Sequence, residues 1–305
     1  MTNPSTSYRA RPATGSAATL AALPKQRRVF SWRNIRGQPR FLIGGTIIGL
    51  MILFAVFAPF LTPSNPMVSH PEITNQAPSL QHLLGTDDLG RDVLGRTFYG
   101  ARVSLSVGII AVGIGLVLGV ALGLTAGYRG SWADLIISRF IDALLAFPAL
   151  LLAISITAAL GPSLRNTMIA IGIVAIPAYA RLTRGQVLQA KEREYVEAAR
   201  TAGASEARIV VRHILPNVLN PLVVQASLSV AFAILAEASL SFLGLGAQPP
   251  TPTWGADIDH ARGYLNNGYW WMSFGPGMAI LLTVFAFNLL GDSIRDLLDP
   301  QLRGR

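Results

Sequence analysis

The sequence predicts an all-α integral membrane protein with six transmembrane helices. Hydrophobic residues make up 51% of its 305 residues and charged residues only 13%, whereas a soluble domain carries about 25% charged residues. Six long apolar runs are separated by polar segments, and about 20 apolar residues in a helix cross the ~30 Å hydrocarbon core of a bilayer. Much of the protein surface is therefore expected to face lipid.

The N-terminal region is basic and precedes the first apolar run. Residues 1–40 contain eight Arg and Lys residues and no acid. We expect 1–25 to be a disordered tail and 26–40 to lie beside anionic headgroups. The run 41–61 has no charge and follows a segment too long for a signal peptide, so it is predicted to be an uncleaved helix. An external loop, 62–102, follows it.

A core of five helices is predicted over residues 103–291, before a C-terminal tail at 292–305. The runs that predict these helices are 103–126, 135–160, 167–181, 219–243 and 274–291. The first of them offers small residues for close helix packing, namely Gly108, Gly113, Gly115, Gly119 and Gly123. Prolines 148, 177 and 221 are expected to be tolerated where neighbouring helices satisfy the freed carbonyls. The run ending at Arg181 is short for a span.

The distribution of basic residues predicts the topology. With the N-terminus inside, 19 of the 25 Lys and Arg residues fall in inside segments and five in outside segments. Basic residues concentrate on the cytoplasmic side of membrane proteins. Both termini are therefore expected in the cytoplasm.

The longest inside loop, 182–217, reads as two short helices joined by a turn. The first is predicted from about Gly185 to Ala202, and Gly203 can end it because glycine adopts positive φ at little cost. Ser205 is a favourable N-cap for the second helix, which is expected to stop before Pro216. A helical hairpin is thus expected on the cytoplasmic face.

This hairpin resembles the EAA loop of ABC importer permeases. The matching residues are Glu197-Ala198-Ala199, then Gly203, then His213-Ile214-Leu215-Pro216. The resemblance implies a type I ABC importer permease fold, whose hairpin docks on an ATPase subunit. It implies that Glu197 anchors the hairpin or pairs with a basic ATPase residue, that two alanines allow close approach, and that Gly203 sets the turn. The coupling residues it implies are Glu197, Ala198, Ala199, Arg200, Gly203, Ala204, His213, Leu215 and Pro216.

Further segments resemble the second permease subunit of dipeptide, oligopeptide and glutathione importers. They include Leu84–Asp92, Gly100–Leu105, Glu237–Gly246, Gln248–Gly255 and Leu298–Pro300. The resemblance implies import of dipeptides or short oligopeptides across the inner membrane of a prokaryote, with glutathione or nickel as alternative substrates. It implies as partners a second homologous permease, two ATPase subunits, an extracytoplasmic binding protein and membrane lipid. The net charge of +9 does not indicate nucleic acid as a partner, because the basic residues flank apolar runs, as expected beside anionic lipid headgroups.

The energy source is expected to lie on other subunits. The only lysines in the sequence are Lys25 and Lys191, and neither belongs to a phosphate-binding GxxxxGK[ST] motif. The resemblance therefore implies no cofactor in this chain, with ATP and Mg²⁺ bound by the partner ATPases, so the chain is not an enzyme by itself. A self-sufficient secondary transporter would need polar ion sites at mid-membrane and often an inverted repeat, whereas the apolar runs hold few ionisable residues and the sequence shows no repeat. A membrane scaffold would not need so specific a hairpin.

Several polar and aromatic residues leave alternatives open. Glu237 is costly in a membrane helix, and either lines a substrate path or packs between helices. Ser239 and Asn288 are the other candidates for the path. Residues 87–92 favour an external turn with Asp–Arg pairs over a cation site. The four histidines lack metal-ligand spacing, and Trp254, Tyr269, Trp270 and Trp271 predict an interfacial belt.

The predicted topology can be tested by cysteine labelling, because the chain has no native cysteine. A Ser69→Cys variant should react with a membrane-impermeant maleimide added from outside, since Ser69 lies in the loop 62–102 that the basic-residue distribution places there. Labelling of this variant only from the cytoplasmic side would show that the predicted topology is inverted.

Overall fold

The computed structural model describes residues 38–62 and 65–298, and helices dominate this part of the chain. We number the helices α1 (Pro39–Leu61), α2 (Val93–Arg129), α3 (Ser131–Leu145), α4 (Ala149–Leu160), α5 (Leu164–Lys191), α6 (Glu194–Thr201), α7 (Glu206–Ile209), α8 (Leu215–Phe242), α9 (Trp254–Arg262) and α10 (Trp271–Leu298). A π-helical segment, Val210–Ile214, joins α7 to α8, and 3₁₀ turns occur at Pro71–Ile73 and Leu265–Asn267.

The predicted all-α fold is confirmed. Within 38–62 and 65–298 the only strand-like pairing is an isolated bridge between Thr86 and Asp92. The predicted tail 1–25, nearly all of the basic segment 26–40 and the end of the tail 292–305 lie outside the described residues.

Five helical segments are long and apolar enough to cross a membrane, and one bent pair is a sixth candidate. The five are α1, α2, α5, the stretch Glu206–Phe242 and α10. The sixth candidate is α3 with α4, which meet at an angle of 92°. By itself, such a bend fits either a broken span or a re-entrant loop.

Close packing of α2 along α5 decides between these alternatives. A Cβ added to the backbone of Gly115 would lie 2.7 Å from Ala175 Cβ, and one at Gly119 would lie 2.5 Å from Tyr179 Cβ. A Cβ added at Gly127 would lie 2.9 Å from Val187 Cβ, so the same difference in residue number separates the contacting residues of the two helices at all three positions. Residue numbers rise together along both helices, so α2 and α5 run in the same direction. The intervening chain must therefore recross the membrane, and α3–α4 is a broken span.

Helices α2 and α8 run in opposite directions, because Ser104 of α2 contacts Glu237 of α8 while Gly108, further along α2, faces the earlier residues Val230 and Ile234. Gly44 of α1 faces Ala286 and Leu290 of α10. Six crossings result within the described residues, which confirms the predicted number of helices. The N-terminal end of α1 and the C-terminal end of α10 consequently lie on the same side of the bundle.

Several helix boundaries differ from those expected. Helix α2 begins ten residues before the predicted 103, because Asp92 Oδ1 accepts a hydrogen bond from the Gly95 amide at 2.6 Å and caps the helix. Helix α5 does not end at Arg181, whose guanidinium pairs with Asp142 of α3 at 2.7 Å. An Arg with a carboxylate partner does not need to end a membrane helix.

The prolines at 59, 148, 177 and 221 have three different effects on the helices. Pro148 separates α3 from α4, so the predicted continuous helix 135–160 is wrong there. Pro177 and Pro221 lie inside α5 and α8 as expected. Pro59 lies inside α1, where it leaves the Ala55 carbonyl without an intrahelical donor. Arg102 of α2 donates a hydrogen bond to that carbonyl, which satisfies it.

The two ends of the bundle have different structures. We call the end that carries residues 192–205 the hairpin face, and the end that carries residues 65–92 and 243–270 the loop face. Two of the four aromatic residues predicted to form an interfacial belt are instead buried beneath the loop face. Trp254 is fully buried and donates to the Thr97 carbonyl at 3.0 Å, and Trp271 donates to the Thr86 carbonyl at 3.2 Å. Trp270 is exposed.

The α2–α5 contact predicts a difference between two glycines on one helix. A Cβ at Gly123 would lie 2.5 Å from the Ala180 carbonyl oxygen, whereas one at Gly113 would meet nothing within 4 Å. We expect Gly123→Ala to destabilise the protein by roughly 1–3 kcal/mol through overpacking. Gly113→Ala, the matched control, should not lower stability. The measurement is the thermal unfolding midpoint of the purified variants in detergent, and equal midpoints would contradict the packing assignment.

Candidate functional site: the hairpin and the cavity

The hairpin turn is a Schellman motif built on Gly203. Gly203 has φ +80°, and its amide donates to the Arg200 carbonyl at 3.0 Å. The next amide, of Ala204, donates to the Ala199 carbonyl at 3.0 Å. These are the two hydrogen bonds that close a helix whose terminal glycine is left-handed. The glycine predicted to set the turn therefore does so, for the physical reason expected.

One side of the hairpin is anchored in the protein core. Val196 of α6, Ile209 of α7 and Ile214 of the π-helical segment are fully buried and belong to the main hydrophobic cluster. Glu197 and Ala198 lie on the exposed side of α6. The Glu197 carboxylate makes no hydrogen bond or ion pair within the described residues. One side of α6 is thus exposed, and the buried opposite side fixes the orientation of the hairpin on the bundle.

The two predicted hairpin helices have different limits in the structure. The first is interrupted at Glu192 and Arg193, so α5 ends at Lys191 and α6 is a separate helix. The second does not stop before Pro216, because the helical path continues through the π-helical segment into α8. Pro216 falls in the first turn of α8, where a missing amide costs little. Ser205 occupies the predicted N-cap position without a side-chain hydrogen bond.

The other predicted coupling residues are likewise divided between the buried and the exposed sides of the hairpin. Ala199 and Ala204 are partly buried against the core cluster, and Arg200 is exposed. His213 and Leu215 are half-buried where the π-helical segment joins α8, and the His213 carbonyl accepts from Asn217 Nδ2 at 2.6 Å. Their roles in coupling stay predictions.

Arg200 also takes part in a contact that the sequence did not indicate. Its Nε lies 3.4 Å from Glu206 Oε1, and the Tyr128 hydroxyl donates to the other oxygen of the same carboxylate. A hydrogen bond with Tyr128 and the nearby Glu206 charge raise the pKa of Arg200. Tyr128 lies 72 positions before Arg200 in the chain, so no local pattern could have predicted their meeting.

A cavity of about 390 Å³ lies between α2, α4, α5 and α8. Most of its wall is apolar, with Ala111, Ala153, Ile171, Val174 and Phe232 among the contributors. The polar wall residues are Gln225, Ser229 and Ser239, and no charged side chain of the described residues lines it. Such a wall offers apolar contacts and a few hydrogen bonds.

Only one of the three residues predicted to line the translocation path lies in the wall of this cavity. Ser239 lines it, whereas Glu237 is fully buried and accepts hydrogen bonds from Ser104 at 3.1 Å and Ser241 at 2.7 Å. Asn288 lies exposed on α10 and donates to the Val284 carbonyl at 2.8 Å. Of the two alternatives for Glu237, a residue on the substrate path or a residue packed between helices, the structure shows the second. A path role for these residues stays a prediction.

The loop face contains a buried network of ion pairs. Asp87 accepts hydrogen bonds from Arg91 Nε at 2.7 Å and from the backbone amides of Leu89 and Arg91. Arg96 of α2 pairs with Asp257 of α9, and burial raises the pKa of that carboxyl while Arg96 opposes the shift. The predicted turn with an Asp–Arg pair is therefore present. Asp87, Asp88 and His260 lie close enough to hold a cation, but Asp87 already has these three donors.

Comparison with known proteins places the chain among membrane transport subunits. Residues 119–304 match the family model described as binding-protein-dependent transport system inner membrane component. Residues 28–78 match the N-terminal TM domain of oligopeptide transport permease C.

Named relatives cover most of the chain. It is 46% identical to a dipeptide transport system permease protein of Alkalihalophilus pseudofirmus over 90% of both chains. It is 48% identical to a di/tripeptide transport system permease protein of Pseudomonas aeruginosa, covering 86% of this chain and 88% of the relative. It is 44% identical to a glutathione transport system permease protein of Pectobacterium atrosepticum, covering 89% and 90%.

A solved structure shows the same fold. An inward-facing methionine ABC transporter, MetNI, aligns with a TM-score of 0.52 at 20% identity, over 65% of this chain and 94% of that chain. Together with the six-crossing bundle and its exposed hairpin, the family match shows that the chain belongs to the binding-protein-dependent transport system inner membrane components, the permease subunits of ABC importers.

Proposed function

We propose that this permease imports dipeptides or short oligopeptides in an ATP-driven complex. The observation that supports ATP-driven coupling is the exposed face of α6. The Gly203 turn and the buried anchors hold this face in place, so it offers an ATPase subunit a surface of fixed orientation. The names of the dipeptide and di/tripeptide relatives support the substrate class. Glutathione is a second candidate, because a glutathione permease relative is nearly as similar to the chain.

The proposed assembly contains four kinds of subunit besides the lipid around it. This chain and a second homologous permease form the pore, two ATPase subunits bind ATP and Mg²⁺, and an extracytoplasmic binding protein delivers peptide. The hairpin face is cytoplasmic and the loop face is external, as the basic residues predict. Both termini then lie in the cytoplasm of a prokaryotic cell, at its inner membrane.

The proposed mechanism is alternating access driven through the hairpin. Closure of the ATPases on ATP displaces α6, and the core anchors at Val196 and Ile209 carry this displacement into the spans. The two permeases then open their shared passage to one side or the other. Glu197 is the residue proposed to meet a basic ATPase side chain, because it is exposed and has no partner among the described residues of this chain.

The chain by itself should neither bind nor hydrolyse ATP, because no phosphate-binding loop motif is present in the sequence. Purified permease in detergent should show phosphate release equal to that of a mock preparation. Sustained hydrolysis that follows the permease through two further purification steps would overturn the assignment of ATP binding to partner subunits.

Replacement of Gly203 by Val should uncouple the complex while leaving the membrane bundle intact. At φ +80° a β-branched side chain is strained by on the order of 1–2 kcal/mol, and the position is exposed with open space around it. The strain therefore acts on the turn and not on core packing. We expect peptide uptake by cells to fall at least about tenfold, which corresponds to about 1.4 kcal/mol.

A matched control is Gly185→Val, an open helical position in α5 without positive φ. Membrane abundance and assembly with the ATPases should be measured in parallel for both variants. Wild-type uptake by Gly203→Val would contradict the coupling role of the hairpin. Loss of the variant from the membrane would assign the glycine to folding instead.

A further inference from the structure

Three separate helices meet at the base of the hairpin turn. Tyr128 is the penultimate residue of α2, Arg200 lies in the last turn of α6, and Glu206 is the first residue of α7. The Gly203 turn separates Arg200 from Glu206 in the chain. Covalent connections join the hairpin to α5 and α8, and the contact with Tyr128 adds a polar link to α2.

The Glu206 carboxylate joins the three residues. One oxygen accepts the hydrogen bond from the Tyr128 hydroxyl, and the other lies 3.4 Å from Arg200 Nε. The Tyr128 ring is partly buried against the main hydrophobic cluster, while the side chains of Arg200 and Glu206 are 55% and 61% exposed. We call this group the base clamp. An ion pair with that exposure contributes little alone. The hydrogen bond from Tyr128 is also exposed, but it joins the carboxylate to a side chain that packs on the bundle core.

Helix α2 is suited to carry a displacement from one face to the other. Its 37 residues extend about 55 Å, longer than the ~30 Å hydrocarbon core. At the loop face it is held by the Arg96–Asp257 pair and by Trp254, which donates to the Thr97 carbonyl. Tyr128 lies at its opposite end. A hairpin that moves while clamped to α2 therefore moves a rigid element that ends at the external surface.

We infer that Tyr128 is a positioning residue that ties the hairpin to α2, so that ATP-driven movement of the hairpin reaches the loop face. The inference rests on the proposed coupling function. It gives Arg200 a task within this chain, that of holding Glu206 across the turn, in place of a direct contact with the ATPase. Loss of the clamp leaves the hairpin held by its covalent connections and its apolar anchors, without the polar link to α2.

The test is a reconstituted complete transporter in proteoliposomes, with its binding protein and a labelled dipeptide that the wild-type complex imports. Tyr128→Phe removes the hydroxyl and keeps the buried ring. We expect the amount of peptide imported per ATP hydrolysed to fall about fivefold, a change within the range expected for the loss of one hydrogen bond. Stimulation of hydrolysis by the loaded binding protein should fall with it, while the yield of assembled complex stays at the wild-type value.

Tyr99→Phe is the matched control on the same helix. It lies near the loop-face end of α2, and Phe keeps the ring over which the Arg102 guanidinium lies at 5.2 Å. Its peptide-to-ATP ratio should equal that of the wild type. Glu206→Ala should lower the ratio, and adding Tyr128→Phe to it should cause no further loss, because both changes break the same contact.

The outcomes separate this inference from the function on which it rests. A wild-type ratio in Tyr128→Phe, or additive losses in the double variant, would overturn the clamp even if Gly203→Val abolishes uptake. Failure of Tyr128→Phe to assemble would also overturn it, since the hydroxyl would then serve folding. Wild-type uptake by Gly203→Val would instead remove the coupling function itself.

Discussion

The close parallel contact between α2 and α5 is the constraint from which most of the architecture follows. Glycines at 115, 119, 123 and 127 bring the α2 backbone against α5 without intervening side chains. In a bilayer, where lipid is as apolar as the side chains, close backbone approach is a main source of helix association. Two parallel neighbours also require the chain between them to recross the membrane, which makes α3–α4 a full span despite its 92° bend.

Polar contacts then fix how the broken span lies against its neighbours. Arg184 of α5 makes two hydrogen bonds with Asp134 of α3, at 2.5 and 2.6 Å, and Arg181 pairs with Asp142 one turn earlier. These pairs hold α3 beside the hairpin-face half of α5, while α4 turns to line the cavity with Ala149, Leu150 and Ala153. Helices α4 and α8 both contribute residues to the wall of this cavity.

The two faces of the bundle are stabilised in opposite ways. The loop face is held by buried ion pairs and by Trp254 and Trp271, whose rings are enclosed. The hairpin face displays charged residues, and its ion pair between Arg200 and Glu206 is half exposed. Buried charges whose partner is removed are costly, whereas exposed ion pairs contribute little to stability. The loop face is thus held by contacts that are costly to break, whereas the hairpin combines buried apolar anchors with a half-exposed ion pair.

The sequence by itself determined the class of protein, the number of crossings and the hairpin turn, because these depend on local properties. Run length and low charge follow from bilayer thickness, and the left-handed conformation of Gly203 follows from the absence of a side chain. Tertiary structure alone decided the break at Pro148, the burial of Trp254 and the enclosure of Glu237, since each depends on the neighbours that a residue meets. The contact of Tyr128 with Glu206 joins positions 78 residues apart, and only the packing of α2 along α5 brings them together.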